Sequence, residues 1–84
     1  MVHRKLSYQW RTILGKLAEH GLDGVDENAF VTLMGEGEIG RHNPARTGLN
    51  QMYFSGVSYW EYHPSDAARI RITSEGREAL QNDR

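Results

Sequence analysis

The residues with the most to offer chemically are polar side chains spaced for reading another molecule's surface. Arg46, Thr47, Asn50 and Gln51 fall on one side of a helical repeat, with Arg41 and Asn43 just ahead of them. An arginine fork matches the two acceptors of guanine, and an Asn or Gln amide matches adenine. Arg69 and Arg71 stand two apart in an alternating stretch and so share a face, the arrangement for holding phosphates or reaching a minor groove. Arg4, Lys5, Arg11 and Lys16 add positive charge near the N-terminus, where a solubilising face is the expected role. A third group is aromatic. Tyr59 points one way along its strand, Trp60 and Tyr62 the other, so at least one large ring must sit at the edge of a small core. Covering that edge is the main expectation, with a partner surface as the competing one.

Other constellations are excluded by chemistry. Gly35-Glu36-Gly37-Glu38-Ile39-Gly40 spells G-x-G-x-x-G but follows a helix and carries two acids that would repel a pyrophosphate. His3, His20, His42 and His63 share no metal-ligand spacing, and there is no cysteine to supply a thiolate or a disulfide. No nucleophile–base or paired-carboxylate spacing supports an enzyme. No metal and no cofactor is expected.

The elements that must position these residues follow from periodicity. Leu6, Trp10, Ile13, Leu14 and Leu17 form the apolar stripe of a first helix over about 7–20, capped by Ser7. Gly21 suits the left-handed end of that helix, with Leu22 folding over it. Asp26 is the expected cap of a second helix, with Val25 and Phe30 at the spacing of a hydrophobic staple. Ala29, Phe30, Leu33 and Met34 are its expected buried side, and Gly35 and Gly37 its stop. Asn43-Pro44 opens a third helix running to about Ser55 and stopped by Gly56. Ala45, Leu49 and Met52 line its inner side. VSYWEYH (57–63), the turn Pro64-Ser65-Asp66 and ARIRIT (68–73) read as a hairpin with Ile70 and Ile72 inward. Thr73 can cap a last helix through about Gln81, held by Ala79 and Leu80.

Helix, helix, helix, two-stranded hairpin, helix is the order of a winged helix-turn-helix. The segment Gly56-Val57, the hairpin and Ile72-Thr73-Ser74-Glu75-Gly76-Arg77-Glu78-Ala79-Leu80 resembles the wing and following helix of small bacterial regulators of the MarR and PadR type. The resemblance covers about a third of the chain closely and the rest by element order. It implies an α+β, mostly helical fold: a three-helix bundle, a two-stranded β-wing and a short C-terminal helix, as one domain over 1–84. It implies double-stranded DNA as partner, with helix 44–55 in the major groove and the wing on phosphates, in a bacterial or phage transcriptional regulator. The predicted DNA-binding set is Arg41, Asn43, Arg46, Thr47, Asn50, Gln51, Arg69 and Arg71. Three features depart from the family: an eight-residue link from Gly35 to His42, an acidic second helix, and missing or short dimer-forming helices.

Charge tempers this expectation. The chain of 84 residues carries a net charge of −1. Residues 21–40 hold Asp23, Asp26, Glu27, Glu36 and Glu38 with no base, between two basic blocks. That acidic block and the aromatics support a rival expectation, a winged-helix module that binds protein and not DNA. Homodimerisation through the terminal helices would suit a DNA regulator. No stretch has the length and apolarity of a signal peptide or membrane span, so the cytoplasm is the expected location.

Overall fold

The computed structural model describes residues 6–34 and 44–82. Ser7 begins the first helix as expected, its Oγ accepting from the Trp10 N–H at 3.1 Å. Helix α1, Tyr8–Ala18, is shorter than the predicted 7–20, and it buries Ile13, Leu14 and Leu17. The chain leaves α1 through a single 3-10 turn, Gly21–Asp23, with Gly21 at φ 64°. Leu22 does not fold over the helix end; it is 68% exposed. The turn instead aims the backbone carbonyls of Leu22 and Asp23 at two arginines of the hairpin.

A two-residue strand follows, β1, Val25–Asp26, which the periodicity did not predict. Two residues are too few for an alternating pattern; the strand exists because a partner is in place. Gly24 permits the approach. Its φ of 74° belongs to glycine, and a Cβ there would strike the Ile70 carbonyl oxygen.

Asp26 then caps α2, Glu27–Met34, its Oδ2 accepting from the Ala29 N–H at 2.9 Å. The buried side differs from the expected one. Phe30 and Val31 are buried, Met34 is half-buried, and Ala29 and Leu33 are exposed. Pairing of β1 fixes how the chain enters the helix, and this rotates the inward face by about one residue position. The expected stop at Gly35 and Gly37 lies outside the described residues.

Helix α3, Pro44–Phe54, buries Ala45, Leu49 and Met52 as predicted. Gly56, at φ 81°, turns the chain beyond it. Strands β2, Trp60–His63, and β3, Asp66–Ile72, make the hairpin. β2 starts later than the predicted 57, and β3 earlier than the predicted 68. The sheet is antiparallel in the order β1-β3-β2. Trp60 faces Ile72, Tyr62 faces Ile70, and Val25 faces Ile70 from the other side, so these share the inner face. Glu61 faces Arg71 and Asp26 faces Arg69 on the outer face.

The last helix, α4, is Ser74–Asn82. Thr73 caps it, its Oγ1 accepting from the Gly76 N–H at 3.0 Å and donating to the Ser58 carbonyl. Gly76 is buried where a Cβ would meet the Tyr59 carbonyl, so the helix can lie close against the strand approach. One cluster joins all four helices and the sheet, with Phe30, Ile13, Leu14, Leu17, Met52, Ile70 and Ile72 almost wholly buried, and Ala79 and Leu80 packed against its edge. The architecture is therefore α+β, with four helices and a three-stranded antiparallel sheet among the described residues.

Candidate nucleic-acid interface

The inner stripe of α3 fixes what its outer side presents. With Ala45, Leu49 and Met52 inward, Arg46, Asn50 and Phe54 form an exposed ridge at spacings of four. Gly48 rests on α1, where a Cβ would meet the Ile13 side chain. α3 contains no acidic residue, so nothing on the helix itself opposes an anionic partner.

The predicted reading set divides here. Arg46 and Asn50 stand together on the exposed ridge. Thr47 is half-buried. Gln51 is exposed but turned toward α1, where its Oε1 accepts from the Trp10 indole N–H at 3.1 Å. Trp10 in turn meets Tyr59 edge-on, with ring centroids 6.4 Å apart. Arg41 and Asn43 lie outside the described residues.

The hairpin flanks the other side of α3. The Trp60 indole N–H donates to the Leu49 carbonyl at 3.1 Å, tying β2 to the middle of α3. Tyr62 Oη donates to Glu27 Oε2 at 3.3 Å, tying β2 to the start of α2. Burial, then the charge of Glu27 and the hydrogen bond to it, push the Tyr62 phenol above its ordinary pKa; Arg46 acts in the opposite direction and Tyr53 in the same one. Tyr62, Glu27, Arg46 and Tyr53 are thus one electrostatic neighbourhood at the junction of α2, α3 and β2.

Arg69 and Arg71 share the outer face of β3, as alternation predicts, but both turn to the chain's own oxygens. Arg71 Nε bonds Glu61 Oε2 at 2.8 Å, and a terminal guanidinium nitrogen donates to the Leu22 carbonyl at 3.3 Å. Arg69 Nε lies 3.4 Å from Asp66 Oδ2 and reaches the Asp23 carbonyl at 3.2 Å. Arg71 keeps only 22% of its side-chain surface, Arg69 46%. Both hairpin arginines are thus paired with acids of the same hairpin.

Two residues of this region escaped the sequence reading. Tyr53 and Phe54 are 67% and 81% exposed and meet edge to face, with centroids 5.3 Å apart. An aromatic pair falling off the 45/49/52 stripe was the available signal. Tyr53 also borders a groove of about 440 Å³ between the end of α3 and β2, lined by Val57, Trp60 and Tyr62 among others; Phe54 does not line it. Trp60 and Tyr62 are themselves edge to face at 5.3 Å. Trp60 is half-buried against the core and Tyr62 45% exposed, so the strand aromatics both cover the core edge and border the groove.

Among the described residues no helix is long and apolar enough to cross a membrane, and no three His, Asp or Glu side chains gather where they could hold a metal. Comparison with protein-family models, curated proteins and solved structures finds no match to this chain.

Proposed function

We propose that the chain is a winged-helix DNA-binding domain, acting as a small transcriptional regulator of bacterial or phage type. The element order α1-β1-α2-α3-β2-β3-α4 and the sheet order β1-β3-β2 support the winged-helix reading. The observation that carries the DNA reading is the outer ridge of α3, where an arginine and an asparagine are exposed one turn apart on a helix without acids. On this reading α3 enters the major groove, Arg46 meets guanine and Asn50 adenine. The wing strand β2 braces α3 through Trp60, and the turn at 64–65 lies alongside the duplex. Arg69 serves phosphate only by exchanging its bond to the half-exposed Asp66, whereas Arg71 acts as an internal strut. A second copy pairing through the terminal helices would place two ridges on successive half-sites.

Fluorescence anisotropy with random-sequence duplex DNA tests this reading. Binding at low salt that weakens measurably at moderate salt is the expected result. No binding at low salt would overturn it. One observation favours a second reading, a protein-interaction module: the exposed Tyr53–Phe54 pair, of which Tyr53 borders the groove, is a candidate anchor for a protein partner.

A further inference from the structure

Phe54 is the most exposed large apolar side chain among the described residues. Its position is not that of a ring covering the core, and it does not border the groove beside β2. It continues the line of Arg46 and Asn50, four residues on from Asn50, and Tyr53 holds its ring from one side. A side chain in that place would meet whatever the ridge meets.

We propose that Phe54 reads a thymine methyl group, so that Arg46, Asn50 and Phe54 address guanine, adenine and thymine along one major groove. This rests on the DNA reading of the same helix and specifies its target. The lengths agree. Eight residues of helix advance about 12 Å, a length that a major groove about 12 Å wide can take in. The chemistry agrees as well. The thymine C5-methyl is the apolar feature of the major groove, and contact with an apolar side chain such as Phe reads it without a hydrogen bond. Covering both removes apolar surface from water, which gives an exposed phenylalanine a favourable partner. α3 itself carries no acid beside the ring.

The test begins by selecting preferred duplexes from a random pool with the 84-residue chain. Each enriched thymine is then replaced by deoxyuridine, which deletes the methyl alone. The wild type should bind one uracil-containing duplex about fourfold more weakly, the worth of one buried methyl-sized group. Phe54→Ala should bind the thymine and uracil duplexes equally, and Phe54→Leu should keep part of the difference. Phe54 is exposed, so both variants should match the wild type in thermal melting. Salt-sensitive duplex binding with no enriched thymine, or with no thymine–uracil difference, overturns the Phe54 contact and leaves the DNA reading standing. Failure to bind any duplex overturns both.

Discussion

Arg46 and Arg71 carry the same charge, yet their surroundings give them opposite work. Arg46 stands on an outer helix face, while Arg71 is three-quarters covered and bonded to Glu61 and the Leu22 carbonyl. Arg46→Ala should therefore act mainly on binding, weakening it to the preferred duplex by about 1–3 kcal/mol; anisotropy and urea unfolding separate that from an effect on stability. Arg71→Ala should do the reverse. Losing a charge-assisted bond beside a half-exposed glutamate should lower unfolding stability by about 1 kcal/mol, with the salt slope of DNA binding almost unchanged. Tyr62 adds a pH signature. Its phenol is held above its ordinary pKa by burial and by Glu27. The neutral phenol is thus the form that the fold favours. Its stabilisation is complete below about pH 10 and is lost as pH rises through the raised value. Tyr62→Phe should flatten that alkaline loss in stability measured against pH.

At the scale of elements, two glycines and one indole decide how closely the pieces approach. Gly48 lets α3 lie on α1, and Gly76 lets α4 lie on the backbone before β2. A methyl group at Gly48 would press on the end of the Ile13 side chain, which can turn away. One at Gly76 would press on the Tyr59 carbonyl, which cannot. Both alanine variants should be destabilised by about 1–3 kcal/mol in urea unfolding, with Gly76→Ala the worse. Trp60 matters differently, because its indole N–H spans from the hairpin to the Leu49 carbonyl. Trp60→Phe keeps most of the packing and removes that bond. Stability should fall by about 0.5–1.5 kcal/mol. If the hairpin positions α3 against DNA, specific binding should fall further than stability alone explains.

For the molecule as a whole, the balance of charge sets the scale of any DNA affinity. Net charge is −1, and two hairpin arginines are held by acids of the same hairpin. Few phosphates can be neutralised by the described surface, so the slope of log affinity against log salt should be shallow, about −2 to −4 rather than the −10 of a large repressor. A slope near zero with persistent binding would speak against phosphate contact. Affinity for a palindromic site that rises with protein concentration beyond simple saturation would indicate pairing of copies.

Much of this protein could be read from its residues in order. The 3.6 period of Ile13, Leu14 and Leu17, the caps at Ser7, Asp26 and Thr73, the left-handed backbone at Gly21 and Gly56, and the alternation around Ile70 and Ile72 are all local. They depend on one helix face, one hydroxyl or one backbone angle, and the structure places each where the pattern puts it. Strand β1, the inward face of α2, the brace from Trp10 to Gln51 and the partners of Arg69 and Arg71 are not local. Arg71 meets a carbonyl 49 positions away and Trp10 an amide 41 away. Composition and spacing define which side chains are available to bond. Which of them bond to one another, and which side chains line the outer ridge of α3, is decided only when distant segments are brought together, because a hydrogen bond has a range of one contact and no memory of the sequence between its ends.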